Sequence, residues 1–315
     1  MPSARISVMI PTYNRSAVLK RALEAYAQQT ALDAILEILV VDDGSTDETA
    51  HVVAEFARTS PVPVRHLRHE NSGQSVTRNR GIREARGELI LFGDDDIIPT
   101  PNLVAEHLSW HQKHPERHVG VMGYVPWSPE VRPTPLMQEI IKRGPQFSYG
   151  HMTAGKAVGA LGCYFNNASL KLEFLRENGS FDESFRTWGF EDIDLGYRLV
   201  QRGMVLLYNP GAVGYHYKRV TFAELCQNPQ KIAAALSVLE TKEAGRAYLA
   251  AENRRKSTRK YRLQMRFVRL FVPLLFPLRP LLDSRIPLPG ALYRAFYAYD
   301  VYFAKKPRPI EVYKL

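Results

Sequence analysis

Cysteine is nearly absent: the 315 residues hold two, Cys163 and Cys226, far apart in the chain. That excludes a disulfide framework and a cysteine-rich zinc cluster, and it suits a reducing compartment. Long apolar runs are missing too. The run Leu270–Leu278 is far short of the ~20 residues a membrane span needs, and Pro273 and Pro277 break it. MPSAR leads directly into Ile6–Ile10 with no signal-peptide core, so the expected location is cytoplasmic. Acidic residues are scarce in one place only. Residues 252–315 carry 15 Lys+Arg against 4 Asp+Glu, while the rest carries 27 against 28. The net charge of +10 therefore belongs to the tail. A chain that is 45% hydrophobic and 23% charged is globular, and its length allows one large domain or a domain with an extension.

What is present centres on residues 89–99, LILFGDDDIIP. Leu89–Phe92 reads as a short buried strand that runs into Asp94, Asp95 and Asp96. Three adjacent carboxylates repel one another, so a positive partner is expected there. A divalent cation held by carboxylate oxygens is the simplest candidate. Mg²⁺ prefers few protein ligands plus phosphate oxygens, which points to a nucleotide diphosphate as the third party. The competing reading is a solvated acidic turn capping the next helix.

The first hundred residues repeat a strand–loop–helix pattern. Ile6–Ile10 ends at Pro11, then the polar loop Thr12-Tyr13-Asn14-Arg15 leads to a helix that Ser16 could cap. Glu37–Val41 is a strand, Asp42-Asp43-Gly44-Ser45 its turn, and Thr46 or Asp47 begins a helix to about Ala57. Val64–Leu67 is a third strand. A glycine turn then opens a helix carrying Arg78, Arg80, Arg83 and Arg86. Arg78 and Arg80 near a helix N-terminus suit a pyrophosphate, whereas Arg83 and Arg86 suit a solvated face. Polar residues at successive strand ends describe an α/β nucleotide-binding half.

Beyond Pro99, a helix over Asn102–His114 places His107, His111 and His114 on one side. Without interleaved carboxylates a metal site is disfavoured, and a partly exposed helix face is expected. Val119–Val125 is a strand. Residues 126–160, with Trp127, Phe147 and Tyr149, read as a long loop suited to binding. Asn166, Asn167 and Ser169 suit a hydroxyl-rich ligand. In FDESFRTWGFEDIDLGYRLVQRG, Trp188-Gly189 precedes Glu191, Asp192 and Asp194 at a helix start. An ionised carboxylate beside an aromatic platform suits a general base for a sugar hydroxyl, while Asp194 reads as a cap. Val205–Tyr208 is a strand with a turn at Asn209-Pro210-Gly211, and His216 is either structural or a metal ligand.

PTYNR (11–15), VVDDGSTD (40–47), NSGQSVTRNRGI (71–82), FGDDD (92–96), the 181–199 segment and His216 together resemble glycosyltransferase family 2, with the GT-A fold. The match covers about residues 5–220. FNNASL…FDE…WGFED also resembles the C-terminal half of animal-type galactosyl- and GalNAc-transferases. The resemblance implies a Rossmann-like α/β mixed sheet flanked by helices and an inverting, metal-dependent transfer from a nucleotide sugar, in cell-surface glycan biosynthesis. It implies that Pro11, Thr12 and Asn14 line the nucleotide site, and that Asp43, with Asp42 beside it, reads the base. Arg78 lies near base and phosphates. Asp94 and Asp96 are the DxD pair of the metal site, Asp94 nearer the ribose and Asp96 the metal ligand, and Asp95 lies between them in the donor site. His216 is a further candidate ligand for Mn²⁺ or Mg²⁺. Asp192 is the general base, with Glu191 beside it, and Trp188 and Gly189 shape the acceptor side. Uracil is the commonest base in this family, and GDP- and dTDP-sugars also occur.

Two departures stand out. The processive members carry QxxRW and transmembrane helices, and neither is found, so a single transfer is expected. Gly93 replaces a larger apolar residue. Residues 1–225 are expected to form the catalytic domain, with a nucleotide-binding half (1–100) and an acceptor-binding half (101–225). Residues 226–315 form a helical, basic and apolar extension. Residues 252–279 hold nine Lys+Arg against Glu252 alone, beside bulky apolar residues. That suits an interfacial helix on an anionic leaflet, hence peripheral attachment at the inner face of the cell membrane and a glycan or lipid-linked acceptor. Packing on the body or an oligomer contact is the alternative, and nucleic acid is disfavoured for want of a binding motif. Two other functions compete. A nucleotidyltransferase needs an early Gly-rich loop, which PTYNR lacks. A silent sugar- or membrane-binding protein should have lost a DxD aspartate or Asp192, and all are kept.

Overall fold

The computed structural model describes residues 5–144 and 148–303. Phe147 and the basic residues from 304 onward lie outside that range. The strands are β1 (Ile6–Thr12), β2 (Ile35–Asp42), β3 (Val64–Arg68), β4 (Leu89–Gly93), β5 (Ile97–Pro99), β6 (Val119–Tyr124), β7 (Asn167–Lys171) and β8 (Val205–His216). The helices of the first half are α1 (Ser16–Tyr26), α2 (Thr49–Thr59), α3 (Gln74–Glu84) and α4 (Leu103–Lys113). They are followed by α5 (Pro135–Arg143), α6 (Leu172–Asn178) and α7 (Glu191–Gln201). The tail adds α8 (Phe222–Lys231), α9 (Ala233–Glu240), α10 (Glu243–Ser257), α11 (Arg259–Phe271) and α12 (Gly290–Tyr302).

The chain divides into two compact units. The first comprises residues 1–128 and 152–217 and holds one mixed sheet in the order β3-β2-β1-β4-β7-β6-β8-β5. Strands β1 to β4 run parallel, as β-strands joined by crossover helices must. β7 is antiparallel to both β4 and β6. Alternation decides which helix covers which face. Ile6, Val8 and Ile10 join Leu19 and Leu23 of α1, Val53 of α2 and Val104 of α4 in one buried cluster. Met9 points the other way, toward α3, where Gly81 leaves room that a Cβ would fill at 2.4 Å from the Met9 side chain.

Several sequence expectations need correction. α2 begins at Thr49, because Asp47 folds back to accept from the Thr49 amide (3.0 Å) and hydroxyl (2.6 Å). The expected long loop contains α5, which Thr134 caps by accepting from the Met137 amide, with Pro135 in the first turn. Asn209-Pro210-Gly211 does not end a strand. β8 continues through it to His216, and the irregularity is absorbed where the pairing skips from Met122–Tyr208 to Tyr124–Val213.

His107 and His111 are not on an exposed face. They are 0% and 5% exposed and sit against β7. Each proton in the network has one place to go. His107 Nε2–H donates to Asn167 Oδ1 (2.9 Å), which leaves Nδ1 to accept from the Ser169 hydroxyl (2.8 Å). Ser169 Oγ in turn accepts from His111 Nε2–H (2.8 Å). Asn167 Nδ2 donates to the Ala212 carbonyl (2.8 Å). Asn167 and Ser169 therefore stitch α4 to the sheet, and of the three polar residues read there only Asn166 keeps an oxygen, Oδ1, without a partner.

The second unit comprises residues 129–151 and 218–315. Its described part is helical. α12 packs against α5, α8 and α11, with Tyr293, Phe296 and Val301 buried. Between α11 and α12 runs a 3-10 segment, Val272–Leu281, whose prolines at 273, 277 and 280 cannot donate the bonds of an α-helix.

Candidate active site

The strand ends of the first unit gather the residues singled out in the sequence. β1 ends in a loop whose residues tie the neighbouring turns together. Asn14, with φ of 51°, accepts from the Thr46 amide (2.7 Å), while its own amide donates to Ser45 Oγ (2.9 Å). An asparagine tolerates that left-handed geometry better than most residues. Pro11 and Thr12 are buried at the strand end. Asp42 is wholly buried and accepts from the Ser45 amide (2.8 Å), opposite His66 Nε2 at 3.1 Å. It builds the turn, and no part of it is open to a ligand. Asp43 accepts from the amides of Ser72 (2.7 Å) and Gly73 (3.0 Å), which fixes the loop before α3. Gly44 has φ of 81°, and a Cβ there would meet the Asn71 amide nitrogen at 2.8 Å.

Arg78 is the electrostatic centre. It is 2% exposed, among the largest fully buried side chains of the chain. Its guanidinium donates to Asp192 Oδ1 (2.9 Å), Asp94 Oδ1 (3.1 Å) and Glu191 Oε1 (3.4 Å). Burial works against its charge, but the three carboxylates outweigh it and push the guanidinium pKa above its ordinary value. Arg80 takes no part: it donates to the Arg68 carbonyl at 2.7 Å.

The three aspartates divide between partners. Asp95 accepts from Thr12 Oγ1 (2.8 Å) and pairs with Arg15 Nη1 (2.9 Å). Burial pushes it up to about 7, against the pull of Arg15. Asp96 pairs with Arg15 Nη2 (2.6 Å) and lies 3.2 Å from His216 Nε2. For Asp96 burial is overcome by His216 and then Arg15, which hold it well below the usual carboxylate range. Arg15 was not singled out in the sequence. Its signal was its place at the end of PTYNR, and only the fold aims it at two aspartates 80 residues on.

Glu191 and Asp192 open α7. Asp192 accepts from Arg78 on one oxygen and from the Phe165 amide on the other (3.0 Å), and its side chain is 21% exposed. Glu191 accepts from the Gly189 amide (2.6 Å). Burial, then the charge of Asp192, pushes Glu191 above the usual carboxylate range. The approach to the helix is strained: Gly189 has φ of 109° and Phe190, a bulky residue, φ of 69°. Trp188 is 40% exposed. Asp194 turns away to Arg198 Nε (2.8 Å), an i,i+4 pair.

Gly93 is kept small by its neighbour. A Cβ there would lie 2.7 Å from the hydroxyl of Tyr26, which is 2% exposed and cannot swing aside. The tyrosine fills the space a larger residue would take.

Five carboxylates thus face two guanidiniums and one imidazole, with Asp95 and Glu191 both pushed above the usual carboxylate range. Such an excess of negative charge fits a divalent cation. Among the described residues no group of three or more His, Cys, Asp and Glu is arranged to hold a metal alone. Asp96 and His216 offer two donors, which fits an ion that takes its remaining ligands from a diphosphate.

The parallel β1–β4 half joined to antiparallel β7, with its carboxylates at the strand ends, makes this a GT-A fold. The chain belongs to glycosyl transferase family 2, whose model matches residues 7–170, just over half its length. It is 33% identical over 223 residues to a validoxylamine A glucosyltransferase of Streptomyces hygroscopicus subsp. limoneus, covering 63% of this chain and 48% of that protein. The chain spans about half the length of the curated relatives it first matches, 48% and 52%. The mannosyltransferase PcManGT from Pyrobaculum calidifontis, solved with GDP-Man and Mn²⁺, superposes with a TM-score of 0.60 at 19% identity, over 96% of this chain and 88% of that one. TarS 1-349 of S. aureus, solved with UDP, gives 0.56 at 17% identity, over 94% and 89%.

Proposed function

We propose that the protein is an inverting, non-processive glycosyltransferase that moves a sugar from a nucleotide-diphosphate donor, a UDP-sugar, to a hydroxyl of a glycan or lipid-carried glycan. The observation that carries this reading is Asp192, fixed on both oxygens and still reachable, at the same sheet end as the Asp96–His216 pair.

Asp43 and the loop it fixes receive the base, with Pro11, Thr12 and Asn14 beside it. Asp94 faces the ribose. Asp96 and His216 would hold Mn²⁺ or Mg²⁺, which would supply positive charge against the diphosphate. Arg15, 42% exposed in its side chain and paired with Asp96, is the guanidinium we assign to that charge. Arg78 is too deeply engaged to grip phosphate. It is a positioning residue that aims Asp192. Trp188 and Gly189 flank the acceptor.

The reaction is one displacement. The acceptor oxygen attacks the anomeric carbon from the face opposite the diphosphate, the bond to the diphosphate oxygen breaks, and its electron pair leaves with the diphosphate. Asp192 takes the hydroxyl proton. The anomeric configuration inverts and no covalent intermediate forms. A base of this kind contributes about 10²–10⁴-fold.

The test is the melting temperature with UDP, GDP and dTDP, each with Mn²⁺, Mg²⁺ or EDTA, because binding to the folded state raises it by mass action. A metal-dependent rise with UDP is the expected result. No rise with any diphosphate would leave a silent binding protein as the better account.

A further inference from the structure

Among the described residues, seven of the nine exposed large hydrophobic side chains fall between Leu263 and Ile286 of the second unit. Such crowding on one short segment is not the scatter of an ordinary surface.

α11 carries two apolar stripes. Met265, Val268 and the following Val272 are buried and dock the helix onto its own unit. Leu263, Phe267 and Leu270, spaced i, i+4 and i+7, stand on the other side at 53%, 55% and 66% exposure. Leu274, in the 3-10 segment that follows, is 73% exposed. Phe271 lies beside Phe267, their rings stacked at 4.6 Å. Arg262, Arg266 and Arg269 share the same i, i+4, i+7 spacing and form an exposed row along the border of the outer stripe. Arg259 and Lys260 are exposed at the helix start.

We propose that this outer stripe is a membrane-docking face: α11 lies in the plane of an anionic bilayer, with Phe267, Leu270, Phe271 and Leu274 in the acyl boundary and the arginine row among lipid phosphates. The helix spans 13 residues, about 20 Å at 1.5 Å per residue, and no described helix is long and apolar enough to cross a membrane. A bilayer surface accepts both halves of the pattern at once. A second copy of the chain would bring two arginine rows together. A nucleic acid would leave the apolar centre of the face without a partner.

Flotation of the full chain with vesicles tests this independently of sugar transfer. Vesicles of phosphatidylcholine with phosphatidylglycerol should carry the protein, vesicles of phosphatidylcholine alone should not, and salt should weaken the association. Free inorganic phosphate as competitor separates a bilayer partner, which it leaves bound, from a simple phosphate site. Phe267→Ser with Leu270→Ser and Leu274→Ser should lose about tenfold or more in vesicle affinity. Arg262→Gln, Arg266→Gln and Arg269→Gln should lose about fivefold per charge. All six positions are exposed, so melting temperature and donor hydrolysis should be unchanged. Absence of flotation, or flotation unaffected by the apolar triple variant, would overturn the proposal. An oligomer that the same variant converts to monomer, without vesicle binding, would assign the face to a second copy.

Discussion

Nη1 of Arg78 lies 2.9 Å from Oδ1 of Asp192, 114 residues further along the chain. That contact joins the helix after the Asp43-anchored loop to the helix that presents the proposed base. It sets a buried guanidinium against the carboxylate in a site crowded with like charge.

Asp192→Asn should abolish proton acceptance and keep the hydrogen bond from Arg78. Transfer should fall by about 10²–10⁴-fold while the UDP-dependent rise in melting temperature persists. Normal turnover in that variant would remove Asp192 from the role.

Arg78→Met should be costly, because it leaves Asp94, Glu191 and Asp192 without the one cation they share. Breaking a buried pair of this kind costs about 3–5 kcal/mol. Urea unfolding measures it, and a loss below the range of an ordinary surface substitution would show that the cluster is hydrated and not truly buried.

Asp96→Asn and His216→Gln should each remove the Mn²⁺-dependent part of nucleotide binding. The comparison is the melting temperature with UDP and Mn²⁺ against UDP and EDTA. An undiminished Mn²⁺ effect in both variants would place the ion elsewhere.

Gly93→Ala should destabilise the protein by about 1–3 kcal/mol, the cost of forcing extra volume into a packed core. The clash is with one atom, the Tyr26 hydroxyl at 2.7 Å. Tyr26→Phe in the same chain should return most of the loss, and thermal melting of the single and double variants reads the coupling. Additive effects would contradict the packing account.

Acid should weaken the fold through the α4 histidines. Burial holds His107 down at about 4; burial, then the nearby Lys171 charge, hold His111 down at about 2. The unfolded chain takes up protons near pH 6.5, where the native rings stay neutral, so it binds more protons throughout the interval below. Stability therefore falls as pH drops from about 6.5 through 4, and His111 extends the fall further. His107→Gln should reduce the slope by about 1.4 kcal/mol per pH unit between those values. Denaturant midpoints at several pH values supply the check, and an unchanged slope would mean that His107 is already charged in the native state.

Much of the donor half was legible in one dimension because its information is local. A β-branched run ending at Pro11, a DDGS turn and a strand running into three aspartates each state their geometry within a few residues. The family motifs 11–15, 40–47 and 92–96 fall within the matched span 7–170. Tertiary structure decided what depends on neighbours far along the chain. Which side of α4 is buried depends on β7, some 60 residues away, so His107 and His111 read as surface until Ser169 and Asn167 covered them. Arg15 reads as an ordinary loop residue and Arg78 as a phosphate-side arginine until the parallel sheet brings distant strand ends into one place, where both guanidiniums are the counter-charge that lets five carboxylates share it. In the tail the sequence determined that basic and apolar residues are mixed. Only packing could choose the stripe: Met265, Val268 and Val272 face inward because their own unit covers them, and Phe267, Leu270 and Leu274 are left to water or to a bilayer.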